Sequence, residues 1–198
     1  MTTLTDLGLH YGTDKATVHR YTDYYEKLFK GWRSKPVKIL EIGVAGGESI
    51  KMWAEFFYNK ESRIYGVEIE NRPLPEFDDR TQIFITDATS PNAVYDITNA
   101  TGQLDVVLDD GSHYVRHQKS SLDLWWPHIK PGGYFICEDN HSNWHYPWWD
   151  GSEEKFVHSL NPWINRVNEN GKDQCAVPTD GDVEEIVFRK SLLVIKKR

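Results

Sequence analysis

VKILEIGVAGGES, residues 37–49, decides the architecture. Val37–Val44 is a short apolar run bounded by Pro36 and a glycine cluster, the pattern of a strand buried on both faces of a parallel sheet. GESIKMWAEFFYN (47–59) then reads as a helix, so the glycines fall at a strand-to-helix turn. Working outward, RIYGVEIE (63–70) and QIFITDAT (82–89) read as a second and third strand. SPNAVYDITNATG (90–102) reads as a helix with Ser90 as cap and Pro91 at its first position, and LDVVLDD (104–110) as a fourth strand. RHQKSSLDLWWPHI (116–129) predicts a helix stopped at Pro127, and GGYFICED (132–139) a fifth strand after the KPGG turn. Upstream, KATVHRYTDYYEKLF (15–29) places Val18, Tyr21, Tyr25, Leu28 and Phe29 near helical spacing and predicts one amphipathic helix. Downstream, SEEKFVHSLNPWINRVNEN (152–170) predicts a helix bent or interrupted at Pro162, and VEEIVFRKSLLVIKK (183–197) a hairpin.

Strands alternating with helices predict an α/β fold: a Rossmann-like, doubly wound, mostly parallel sheet with helices on both faces and a C-terminal antiparallel hairpin strand pair. The chain has 198 residues, which predicts one domain with a real core. No apolar run approaches the roughly 20 residues of a membrane helix, and the N-terminus has neither a basic start nor an apolar stretch, so a cytoplasmic location is expected. Cys137 and Cys175 cannot build a disulfide framework, and Cys137 is expected as a buried free thiol. A net charge of −7, with no basic stripe beyond the terminal KKR, argues against nucleic acid as a partner. Of eight tryptophans, Trp144, Trp148 and Trp149 crowd a stretch too rich in His, Asn, Pro and Gly for regular structure. Such a loop lines a pocket or an interface.

The glycine loop puts Glu41, Gly43, Gly46 and Gly47 where doubly wound folds bind their ligands, although a tight turn that only packs strand on helix would look the same. Ala45 stands where a dinucleotide motif would want its second glycine. Glu68 ends the second strand, where an acid can accept hydrogen bonds from both ribose hydroxyls of an adenosine cofactor. Asp87, ending the third, could take an adenine amino group or cap the next helix. Asp109 and Asp110 close the fourth strand, Glu138 and Asp139 the fifth, and all four converge on one sheet edge. Carboxylates so placed repel one another unless a cation neutralises them, and a hard ion such as Mg²⁺ suits oxygen ligands. Asp109 and Asp139 could instead cap helices or hold turns. His113 follows the acidic pair within a Gly-Ser turn, and an imidazole with a pKa of about 6.5 suits proton removal near neutrality. His113 and Asp109 are therefore the catalytic candidates, and His141, with Trp144, Trp148 and Trp149, the candidates for an acceptor pocket; His117 and His145 are weaker ones.

The order of glycine loop, Glu68 and Asp87 resembles the cofactor half of class I S-adenosylmethionine-dependent methyltransferases. LDDGSHYVRHQKSSLDLWWPHIKPGGYFICED is similar to the signature of the metal-dependent sugar O-methyltransferases that act on macrolides and other glycosylated natural products, and LGLHYGTDKATVHRYTDYYEKLF resembles their N-terminal segment. The resemblance implies S-adenosylmethionine and Mg²⁺ as cofactors, the metal on Asp110, Glu138 and Asp139, and His113 as general base. It also implies that Tyr11, Thr13 and Lys15 lie near the cofactor, joining Glu41, Gly43, Gly46, Gly47, Ser49, Glu68, Asp87 and Asp109. The domain would then divide into an N-terminal helical cap (1–36), a cofactor-binding core (37–138), an aromatic acceptor loop (139–151) and a C-terminal helix and hairpin (152–198). The expected partner is a small-molecule acceptor bearing a sugar or glycoside hydroxyl, with no membrane and with a homo-oligomer left open. A catechol-type O-methyltransferase, a hydroxylase of the cephalosporin-pathway kind and a non-catalytic cofactor-binding interaction protein are the competing readings.

Overall fold

Thr3 starts the first helix: its hydroxyl accepts from the Asp6 N–H while the Asp6 carboxylate accepts from the Thr3 N–H. This reciprocal cap opens α1 (Leu4–Tyr11), and Gly12 closes it in the left-handed region at φ 80°. The computed structural model describes residues 2–145, 148–168 and 182–198; Cys175, residues 146–147 of the aromatic stretch and the end of the helix expected over 152–170 lie outside them.

Residues 1–88 form one compact unit. The single helix expected over 15–29 is two, α2 (Asp14–Thr17) and α3 (Thr22–Phe29), with Arg20 between them at φ 59°. Val18, assigned to the buried face, is 68% exposed. The packing residues explain the break: Tyr25 and Phe29 take their phase from α3 alone and lie on Trp53, with ring centroids 5.5 Å and 6.2 Å away. The strands β1 (Lys38–Ile42), β2 (Arg63–Glu68) and β3 (Thr81–Ile85) run parallel in the order β3-β2-β1, with α4 (Glu48–Phe56) following β1.

Residues 89–198 form the second unit. Here α5 (Pro91–Thr101) has Ser90 at its N-cap position, in extended backbone but without a side-chain cap hydrogen bond, and Pro91 in its first turn. The strand β4 (Leu104–Asp109) leads through α6 (Val115–Trp125) to β5 (Ile129–Cys137), which pairs parallel with it so that Asp109 lies opposite Cys137. Pro127 falls in a short 3₁₀ turn that ends α6, as its missing N–H requires. Pro162 does not interrupt a helix. It occupies the first turn of α7 (Asn161–Asn168), where a proline leaves no bond unmade, and a separate 3₁₀ segment, Phe156–Leu160, precedes it. The closing hairpin is β6 (Val183–Arg189) and β7 (Leu192–Lys197), turned at Ser191 with φ 62°, and β7 pairs antiparallel with β5. Cys137 is fully buried, and burial pushes its thiol well above the ordinary range.

Candidate active site

In the first unit, the glycine loop is held by a carboxylate. Glu68, 5% exposed, accepts through Oε2 from the Val44 and Ala45 N–H groups (3.2 and 2.9 Å) and through Oε1 from Glu70 N–H (2.9 Å). Burial pushes this carboxyl upward, but the three backbone donors and the nearby Arg72 outweigh it and keep the group below its usual value. Gly43, Ala45 and Gly47 all take left-handed φ values of 89°, 49° and 87°. At Gly47 a Cβ would also meet the Phe77 ring at 2.8 Å, so any other residue there is both strained and crowded. Behind the loop, Lys15 Nζ and Glu41 Oε1 lie 3.1 Å apart, each 1% exposed, and the Trp53 indole donates to Glu41 Oε2 at 2.9 Å. Thr13 and Ser49 are buried, and Asp87 is exposed just past β3. The Tyr11 hydroxyl donates to Glu55 Oε2 at 2.7 Å, which pushes its pKa up to about 12.

In the second unit, the ends of β4 and β5 bring acids together. One ligand atom from each of Asp110, His113 and Asp139 lies within 4.8 Å of the other two, and among the described residues no other such group of three acids, histidines or cysteines forms. Glu138, 1% exposed, is not a member of that group. His113 Nε2 is 4.0 Å from Asp139 Oδ2, and His141 Nδ1 is 3.9 Å from Asp139 Oδ1. Both His113 and Asp139 stand at positive φ, 60° and 52°, an unfavourable conformation for residues with a Cβ. Asp109 is buried and accepts from Gly111 N–H at 3.2 Å, holding the turn; burial raises its carboxyl to about 6 against that hydrogen bond. Trp144, Trp148 and Trp149 are all exposed, and the Trp148 ring meets His113 edge-on at 6.4 Å.

Three polar residues that organise this unit carried no signal in the sequence. Asn143 is fully buried and bonded to His113, Gln118 and Phe156. Gln118 is 1% exposed in α6. Asp150 accepts from the Arg116 N–H in the first turn of α6, capping that helix from the aromatic stretch. Each partner lies far along the chain, so no local spacing marks the bond.

Residues 40–140 match the model of a methyltransferase domain family. The chain belongs to this methyltransferase family. Among curated relatives of this methyltransferase, the 8-demethyl-8-alpha-L-rhamnosyl tetracenomycin-C 2'-O-methyltransferase of Streptomyces olivaceus is 29% identical across 98% of this chain and 54% of its own length. Demethylmacrocin O-methyltransferase of Streptomyces fradiae is 33% identical across 69% of this chain and 36% of its own. The chain thus spans about half, or less, of the curated relatives it matches. The solved MycE methyltransferase from the mycinamycin biosynthetic pathway, in complex with Mg, SAH and mycinamycin VI, superposes with a TM-score of 0.87 at 25% identity, covering 98% of this chain and 53% of that one. The fold is therefore the expected Rossmann-like α/β one, with parallel strands in each unit and a C-terminal antiparallel pair. No described helix is long and apolar enough to cross a membrane.

Proposed function

We propose that this chain is an S-adenosylmethionine- and Mg²⁺-dependent O-methyltransferase acting on a hydroxyl of a sugar or glycosylated natural product. The observation that carries the reading is the convergence of Asp110, His113 and Asp139 at the ends of neighbouring strands in a chain of this family. The relative named as a rhamnosyl tetracenomycin-C 2'-O-methyltransferase supports the acceptor class, and the Mg and SAH bound to MycE support the two cofactors.

The donor set fits a hard cation. Two carboxylates and solvent oxygens suit Mg²⁺, whereas an imidazole suits softer metals, so Asp110 and Asp139 are assigned to the ion and His113 to the proton; Glu138, outside that group, is assigned as a third ligand on the family resemblance alone. Glu68 fits an adenosine: a carboxylate has about four acceptor positions, and three are taken by backbone N–H groups, which leaves one on Oε1 for a ribose hydroxyl. Gly43, Gly46, Gly47, Ser49 and Asp87 complete the donor's surroundings, with Tyr11 and Thr13 nearby and Lys15 and Glu41 as the buried support of the loop. When bound, the cation supplies acidity to the acceptor hydroxyl and the donor supplies the methyl group. His113 accepts the acceptor's proton on its ring nitrogen, and the Asp139 carboxylate faces the charge the ring gains. Asp109 holds the turn that carries His113, and Trp144, Trp148 and Trp149 with His141 offer an aromatic wall for a sugar face. A cytoplasmic location fits an enzyme that draws on this donor.

The test is titration calorimetry with S-adenosylmethionine, with and without Mg²⁺, followed by a mass-spectrometric screen for methyl gain over glycosides and catechols. Metal-dependent methylation of a glycoside is the expected result. Turnover that persists in chelator, or that appears on catechols alone, overturns the proposal.

A further inference from the structure

Asn143 lies in the 3₁₀ segment Asn140–Trp144 with no exposed surface. Its amide nitrogen donates to the His113 carbonyl and to Gln118 Oε1, both at 3.0 Å, and its oxygen accepts from Phe156 N–H at 3.1 Å. Both donors and the acceptor are thus engaged, by partners from three separate segments. His113 needs such a hold. At φ 60° its backbone is in the left-handed region, which is unfavourable for an L-residue and persists only where the surroundings over-determine it. The carbonyl that Asn143 grips belongs to the residue whose Nε2 lies 4.0 Å from Asp139 Oδ2 and whose ring meets Trp148 edge-on.

We infer that Asn143 is a positioning residue for His113: its side-chain amide fixes the peptide that carries the imidazole and so sets where the ring nitrogen points. What the ring then does rests on the methyltransferase reading above; the contact itself does not. Glu or Asp substitutes poorly in this place, since two carbonyl-type oxygens need donors, which a carboxylate lacks.

The test compares wild type with Asn143→Asp, which keeps the size and the acceptor for Phe156 but loses both donors, and with Asn143→Ser, which is too short to reach the carbonyl. Circular dichroism and thermal unfolding establish that each variant is folded. Histidine ring C–H correlation spectra, with His113 assigned through His113→Gln, read ring placement without any turnover. The His113 signal is expected to move or split in a folded variant while the signals of His10 and His19 stay in place. On the acceptor that wild type methylates, kcat falls about 100-fold, with both KM values within about twofold. An unchanged His113 signal in a folded variant overturns the proposal, as does an activity loss that tracks only the loss of folded protein. Should neither variant fold, hydrogen exchange of the Asn143 side-chain protons in wild type decides: slow exchange supports the grip and solvent-rate exchange overturns it. A wild type without methyl transfer sinks the functional reading alone, since the ring signal still reports on the contact.

Discussion

The glycine loop of the first unit and the acid cluster of the second are built on opposite principles. Around the loop, backbone donors and buried charge are met by partners of the opposite kind: Glu68 draws in the Val44, Ala45 and Glu70 N–H groups, and the Lys15–Glu41 pair sits buried with the Trp53 indole attached. Around the cluster, carboxylates of one sign crowd together, and two of the three converging residues stand at positive φ. A loop satisfied by its own chain is ready for a neutral or weakly charged ligand with little rearrangement. A cluster of like charges is incomplete until a cation arrives, so its energy should depend strongly on what is added.

The comparison breaks most visibly at Lys15. Lys15→Met leaves the Glu41 carboxylate buried without its ammonium, and a loss of about 3–5 kcal/mol in denaturant unfolding is expected. At the cluster the same kind of change has the opposite sign. Asp110→Asn relieves repulsion and should leave the metal-free protein as stable as wild type or more so. It should also abolish the stabilisation that Mg²⁺ confers on wild type in thermal unfolding, and cut metal-dependent turnover by about 100-fold or more. A variant that still gains stability from Mg²⁺ would remove Asp110 from the ligand set.

Two smaller effects sharpen the contrast. Glu68→Gln should cost about 1–3 kcal/mol near neutral pH, because three N–H groups lose a charged acceptor. The Glu68 carboxyl is held below its ordinary value of 4.5 in the folded chain, so its stabilisation is full above that pH and fades as the pH falls through the lowered value. The gap between wild type and variant should therefore close in acid; a gap that widens would contradict the assignment. Asp150→Ala removes the cap on the first turn of α6 and should cost about 1 kcal/mol or less at this partly exposed site, read as faster amide exchange at Arg116.

How much of this was legible beforehand follows from where the bonds run. The apolar runs over Val37–Val44, 63–70 and 104–110 announced β1, β2 and β4, because a strand buried on both faces must be apolar along its length. The acids at strand ends could be named for the same reason: strand ends are where a parallel sheet presents side chains to a ligand. The break at Arg20 was invisible, since a left-handed arginine leaves no mark in a helical pattern and only the packing of α3 on Trp53 demands it. Lys15 and Glu41 each stand in a recognisable motif, but their pairing joins residues distant in sequence and leaves no local mark. Asn143, Gln118 and Asp150 carry no mark in the sequence, because buried amides and trans caps are defined by partners, not by neighbours.

Cys137 sits at the last position of β5, opposite Asp109, with its thiol fully enclosed and held in the unreactive protonated form. Alkylating reagents can reach that sulfur only when the strand end opens. In a background where Cys175 is replaced by serine, the rate of iodoacetamide incorporation becomes a built-in clock for the breathing of the sheet edge, and any ligand that bridges the two strand ends should slow it.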